Sequence, residues 1–224
     1  MIPWTLIEDV TVPGSTEQMR LYKRGDEYSI RVANYELMNS RAHGSEEALA
    51  ELAFDKLGAK RKLRVLIGGL GMGYTLAAVL RGLVHGGEAV VAELVPAVVA
   101  WNRGPLSSLA GNPLRDKRAR VYRGDVTQAI LDEKVGFDAI LLDVDNGPEA
   151  LTLDTNHRLY GLPGLRAAHA ALRPGGVLAI WSSGPDVAFV RRLRQCGFEV
   201  EEVRARARTG RGGARYVVWV AQRK

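Results

Sequence analysis

Apolar and polar positions repeat with two different periods along this chain, and the changes of period mark out its elements. MRLYKRGDEYSIRVA, residues 19 to 33, holds two alternating runs around Arg24-Gly25-Asp26, the signature of a β-hairpin. The first forty residues are β-rich on this pattern. SEEALAELAFDKLG then changes to helical spacing: Ser45 is placed to cap the helix, Glu46 and Glu47 suit its first turn and Gly58 its end. Leu63 to Ile67 reads as a buried strand. It runs into VLIGGLGMGYTLAAVL, where Gly69, Gly71 and Gly73 stand two apart before Leu76, Ala77, Val79, Leu80 and Leu83 resume at helical period. The unit is strand, glycine turn, helix, and such a turn offers helix-start N–H groups to an acceptor.

The alternation of strand and helix continues. GEAVVAEL is a strand and PAVVAWNR its helix, with Pro96 in the first turn. ARVYRGD is a strand followed by a short helix near Val126 to Leu131. FDAILLDVD is apolar enough to lie inside a parallel sheet. A Gly-, Pro-, Asn- and Asp-rich loop runs from Asn146 to about Pro163. GLRAAHAALRPGG leads as a helix into VLAIWSS, and PDVAFVRRLRQCG into FEVEEVRARA. ARYVVWVAQ follows and is able to pair antiparallel with the strand before it. The order predicts an α/β protein with an open, mostly parallel twisted sheet, helices on both faces and a C-terminal antiparallel hairpin. A short N-terminal β region, residues 1–44, precedes a larger domain, residues 45–224.

Composition narrows the classes. A hydrophobic share of 46% and a charged share of 25% are ordinary for a globular chain. No apolar run is long enough to cross a bilayer. MIPWTLIEDV lacks the basic and apolar regions of a secretory signal, so the expected location is the cytoplasm. The single cysteine, Cys196, excludes an internal disulfide and reads as packing. His43, His85, His157 and His169 are scattered without ligand spacing, so no metal is expected. The net charge of +6 is concentrated at the end: residues 191 to 224 hold ten Lys or Arg against three Asp or Glu. Arg204, Arg206 and Arg208 share one face of a strand. Without interleaved aromatics this strip reads as a solvated edge that discourages strand addition, and nucleic acid is not the expected partner.

Ligands of open parallel sheets bind beyond the carboxyl ends of the strands. The residues at those ends form a series here. The first parallel strand ends in the glycines. The second ends at Glu93, twenty-four residues after Gly69 and placed for ribose hydroxyls. The third ends at Gly124-Asp125 and the fourth at Asp143-Val-Asp145-Asn-Gly-Pro148. G-x-G-x-G followed by an acidic strand end resembles the S-adenosylmethionine-dependent methyltransferase fold, which is Rossmann-like. The resemblance makes Gly69, Gly71, Met72 and Gly73 the turn beside the methionine moiety, Glu93 the ribose partner and Asp125 the adenine contact.

IGGLGMG, FDAILLDVDNGP and ALRPGGVLAI together resemble the polyamine aminopropyltransferases, the spermidine and spermine synthases, over about Ser45 to Ile180. The resemblance implies transfer of an aminopropyl group from decarboxylated S-adenosylmethionine to a small amine, and a homodimer. In that reading Asp143 binds the attacking ammonium and accepts its proton, while Asp145 holds the amine or a second ammonium. Tyr160 would line the same mouth against the substrate's methylenes. Three departures stand beside it. Met72 replaces the Asp of the family's glycine loop, NSRAHGSEEALAEL lacks the family's Tyr-His pair, and the two carboxylates of DVDNGP are two residues apart instead of three. A methyltransferase using intact S-adenosylmethionine, on a small molecule or RNA, therefore remains a second reading. A non-catalytic nucleoside-binding protein remains a third.

Overall fold

A computed structural model describes residues 2–33, 35–58, 62–84, 86–133, 136–143, 158–206 and 215–224. Four strands come first: β1 (Thr5–Thr11), β2 (Gln18–Arg24), β3 (Glu27–Val32) and β4 (Tyr35–Asn39). They pair antiparallel in chain order, and the expected hairpin at Gly25 joins β2 to β3. Helix α1 (Gly44–Leu57) follows, then β5 (Arg64–Gly68), α2 (Tyr74–Gly82), β6 (Glu88–Glu93), α3 (Pro96–Arg103), β7 (Ala119–Arg123), α4 (Val126–Asp132) and β8 (Phe137–Leu142). The described remainder is α5 (Leu162–Ala171), β9 (Leu172–Ser182), α6 (Val187–Gln195), β10 (Phe198–Arg206) and β11 (Arg215–Arg223).

The second sheet has seven strands in the order β10-β11-β9-β8-β5-β6-β7. β9, β8, β5, β6 and β7 run parallel, and β11 pairs antiparallel with both β9 and β10. This is the expected α/β architecture, closing hairpin included. The order reverses between β5 and β8, so two neighbouring parallel strands send their chains to opposite faces and leave a crevice above their ends.

Alternation along the strands divides the core. Val65 and Ile67 of β5, Ala139 and Leu141 of β8 and Val177 and Ala179 of β9 face one cluster with α1, α2 and α3. Leu66, Ile140, Leu178 and Ile180 face a second cluster with α4, α5 and α6. The N-terminal sheet belongs to the first cluster through Val12, Leu21, Tyr28 and Ile30. It therefore lies on the α1–α3 side. A polar clasp adds to this packing, since the indole Nε1–H of buried Trp101 on α3 donates to Glu8 Oε2 on β1 at 2.7 Å.

Local expectations meet two corrections. Ser45 does not cap α1: the N-cap is His43, with no side-chain cap bond, and Ser45 lies inside the first turn with its hydroxyl donated to Glu46. Helix start signals within two residues of one another are easily misassigned. β9 begins at Leu172, ahead of the expected VLAIWSS, because Leu172 pairs with Phe137 of β8 and residues 173–176 bulge out before Val177 pairs with Ala139. Arg204 of the basic strip is exposed on edge strand β10, as expected, and pairs there with Glu202 at 2.9 Å; Arg208 lies outside the described residues, as do His85 and His157. Among the described residues no helix is long and apolar enough to cross a membrane.

Trp101→Phe keeps the packing of the indole's larger part and deletes the clasp to β1. We expect a loss of about 1.5–3 kcal/mol, the usual range for a hydrogen bond to a charged group, read as a lower urea midpoint at unchanged slope.

Candidate active site

β5 ends at Gly68, and the chain must reverse within a few residues to lay α2 back on the sheet. Gly69, Gly71 and Gly73 do this with φ of 88°, 51° and 86°, in the left-handed region that side chains resist. Space is as decisive as φ. A Cβ on Gly69 would stand 3.1 Å from the Asp143 carbonyl oxygen, and one on Gly71 2.8 Å from Cε of Met38. Asn102, buried on α3, clamps the turn by donating from Nδ2 to the carbonyls of Gly71 at 2.7 Å and Val98 at 2.9 Å.

The N–H groups of this turn are mostly taken by the protein itself. Gly69 donates to Ala92 O, Leu70 to Glu93 Oε2, Met72 to Met38 Sδ and Gly73 to Leu70 O. Four of the five turn N–H groups are thus engaged within the protein, while the helix-start groups to which the sequence points begin at Tyr74 and are not among them. The N-terminal sheet supplies one of the acceptors, by bringing Met38 of β4 down onto the glycines, and the others come from the end of β6 and from the turn itself.

Above the turn lies a cavity of about 360 Å³. Its floor is the carboxyl edge of the parallel strands and its roof is the N-terminal sheet, with Met19, Ile30, Val32 and Met38 among the roof residues. Six carboxylates line it: Glu17, Glu36, Glu46, Glu93, Asp125 and Asp143. Lys, Arg and His are absent from its described lining.

Glu93 and Asp125 accept backbone N–H groups, and Asp143 accepts a side-chain hydroxyl. Glu93 is buried, and its Oε2 accepts from Leu70 N–H at 2.9 Å while Oε1 accepts from Val95 N–H at 2.8 Å. It therefore joins the end of β6 to the turn after β5. Asp125 caps α4 by accepting from Thr127 N–H on Oδ1 at 2.7 Å, and the same residue lines the cavity. Asp143 follows β8, with its N–H to Gly68 O at 3.3 Å and its Oδ2 accepting from the Thr75 hydroxyl at 3.2 Å. Burial pushes the Asp143 carboxyl up to about 7, the Glu46 carboxylate adds to the rise, and the Thr75 bond opposes it.

Of the residues singled out in the sequence, Gly69, Gly71, Glu93, Asp125 and Asp143 meet at this cavity. Met72 and Gly73 are not in its described lining. The Met72 side chain is fully buried in the first core cluster, and Gly73 backs onto Asn102 and Pro113. Position 72 therefore leaves no open space for a ligand tail. Tyr160 lies in the second cluster, on the other face of the sheet, edge-on to Phe189 at 5.9 Å. Its expected place at the mouth is replaced by a core position. Asp145 lies outside the described residues.

Glu46 and Trp181 are among the lining residues that were not singled out. Glu46 is 6% exposed and shares its helix face with Leu49, Ala50, Ala53 and Leu57, a spacing visible in the sequence. Trp181 follows Ile180, the partner of Leu142, so it leaves β9 beside Asp143. An aromatic at the carboxyl end of a parallel strand was the available signal.

The chain superposes on a spermidine synthase from Thermotoga maritima with a TM-score of 0.77 and 19% identity, over 98% of this chain and 73% of that one. It superposes equally on a spermidine synthase in complex with the transition state analogue AdoDATO, with a TM-score of 0.76, 19% identity and coverage of 98% and 72%. The fold is that of the spermidine synthases. A probable spermidine synthase from Corynebacterium glutamicum ATCC 13032 gives a TM-score of 0.68 at 15% identity, over 97% of this chain and 79% of that one. No protein-family model and no curated protein matches the sequence.

A carboxyl raised in the fold above its ordinary value of 3.8 binds its proton more tightly when folded. Its favourable contribution is present below about pH 4 and is lost as pH rises to about 7. Asp143→Asn removes that loss. The variant should gain stability over the parent progressively between about pH 4 and about pH 7, by more than about 1 kcal/mol, and hold a constant lead above it. Urea unfolding across that range checks the sign: a lead that grows as pH falls would contradict it.

Proposed function

We propose that the cavity takes an adenosine-type sulfonium donor lacking a carboxylate, and that the protein transfers the donor's aminopropyl group to a small amine. The charge of the wall carries this reading. A donor with an intact methionine carboxylate would bring an anion among six carboxylates, with no described basic side chain to meet it. Most of the glycine-turn N–H groups, the other natural anion partners, are already engaged. A decarboxylated tail ends in an ammonium and suits the same wall. The spermidine synthase that was crystallised with a transition state analogue lends the fold's precedent.

In this reading Glu93 would receive the ribose hydroxyls, and Asp125 would contact the adenine. Gly69 and Gly71 would let the donor approach the turn. The acceptor arrives as an ammonium. Asp143, with a carboxyl that titrates near neutrality, takes one proton from it. The freed nitrogen lone pair then attacks the carbon beside the sulfonium, the C–S bond breaks, and its electron pair returns to sulfur as the neutral thioether leaves. Holding nitrogen, carbon and sulfur in line supplies the rest of the acceleration. Asp145 keeps its proposed part in holding the amine or a second ammonium.

Methyl transfer from intact S-adenosylmethionine is the second reading, and Met72 favours it: the position where the resembling family carries an anchoring Asp is apolar here. Calorimetry with S-adenosylmethionine, its decarboxylated form and methylthioadenosine separates the two. We expect the decarboxylated donor to bind at least tenfold more tightly than the intact one. The opposite preference would replace aminopropyl by methyl transfer. Asp143→Asn should keep methylthioadenosine affinity within about threefold and lower turnover by two or more orders of magnitude, the usual share of a general base. Unchanged turnover would remove Asp143 from the chemistry.

A further inference from the structure

We infer that Glu46, Asp143 and Trp181 form a cage for the acceptor's reactive ammonium, with Glu46 as its specificity-determining residue. The inference rests on the nucleoside reading of the cavity and adds residues that neither the glycine turn nor the acidic strand ends would nominate.

The three side chains come from separate elements and reach one face. Ala139 and Leu141 of β8 and Val177 and Ala179 of β9 belong to the first core cluster, so Asp143 and Trp181, two residues further along each strand, follow on that side. Glu46 comes to the same side from the first turn of α1, whose apolar residues lie in that cluster. All three line the cavity. The indole of Trp181 packs with Tyr216 at 6.3 Å between centroids, and its Nε1–H has no hydrogen-bond partner among the described residues.

The fold itself contains a control for what a buried carboxylate needs. Asp138, near the start of β8, is nearly as buried as Glu46, and it receives Arg64 N–H at 2.8 Å and the Arg173 guanidinium at 2.6 Å. Glu47, beside Glu46, is paired with Arg81 at 3.1 Å. Glu46 and Asp143 have no such cation among the described residues. Ser45 donates its hydroxyl to Glu46 at 2.5 Å, and Thr75 donates its own to Asp143. Burial raises the Glu46 carboxyl as well, with the Ser45 bond opposing. A buried carboxylate is costly until a charge partner or proton arrives. Glu46, buried, and Asp143, half-buried, face one cavity beside an indole whose π face attracts cations, and present the counter-charge and the apolar wall that an alkylammonium requires. Glu46 thereby brings from α1 a negative charge to a cavity whose glycine loop, with Met72, has none.

The test uses the full chain saturated with methylthioadenosine and titrated with 1,3-diaminopropane, 1,4-diaminobutane and spermidine. Glu46→Gln should leave methylthioadenosine affinity within about threefold and weaken the best-bound amine at least tenfold. Glu46→Asp should recover part of that loss. Trp181→Leu should weaken the same amine severalfold while methylthioadenosine again holds. Equal losses for nucleoside and amine in Glu46→Gln would make Glu46 a structural residue and overturn the inference, as would amine binding that does not change. A parent protein that binds methylthioadenosine but none of the amines overturns the cage alone. A parent that binds no methylthioadenosine overturns the nucleoside reading and the cage with it.

Discussion

Two backbone hydrogen bonds to one buried carboxylate organise this site. Glu93 accepts from Leu70 N–H and Val95 N–H, and so ties the turn after β5 to the end of β6. A carboxylate that receives backbone N–H groups on both oxygens is held in one rotamer, with both oxygens in fixed positions. The same bond sets the height of the glycine turn over the sheet. Asn102 holds the turn from α3, and the Asp143 backbone closes against Gly69 across the switch in strand order. The cavity floor is thus built from main chain and from side chains bonded to it, with little freedom to collapse when empty.

The roof is made differently. Met19, Ile30, Val32 and Met38 come from a second sheet that shares the first core cluster and closes over the floor through apolar contact. Apolar walls above desolvate the carboxylates below, which disfavours their charged forms first, and the lowered dielectric around them strengthens their mutual repulsion and their attraction for a cation alike. This is why Asp143 titrates near neutrality, with Glu46 contributing to its rise. The empty protein bears a stability cost at the position where a cation would be bound most strongly, a common relation at functional sites.

Much of this could be read from the chain, and the part that could not has a definite cause. The parallel sheet, its helices and its hairpin followed from local period, because each element carries its own alternation and its own turn residues. Gly69, Glu93, Asp125 and Asp143 could be brought together because sheet topology sends successive strand ends to one edge. Glu46 and Trp181 escaped because their roles depend on which face of the sheet α1 covers, a property of packing between distant segments. Read alone, Glu46 suits the first turn of a helix equally well as a solvated acid. Its position on the stripe of Leu49, Ala50, Ala53 and Leu57 was the contrary signal. Tyr160 was misplaced for a related reason: its element packs on the second cluster, and no local pattern distinguishes the two faces.

Met72 shows how a loop position can change its partner while the loop keeps its path. Its N–H is satisfied by the sulfur of Met38, and its side chain is enclosed by the first core cluster. An acidic residue whose side chain pointed the same way would be buried among apolar groups without a cation, at a cost of several kcal/mol. Retaining Met38 on the glycines and an anchoring acid at position 72 are therefore competing arrangements. With methionines at both positions, the roof rests directly on the turn, and negative charge for a cationic ligand has to enter from another element. α1 is the described helix that brings a buried carboxylate to the cavity wall, through Glu46 in its first turn. The apolar turn and the acidic helix start are, on this argument, two halves of one change in where the pocket keeps its charge.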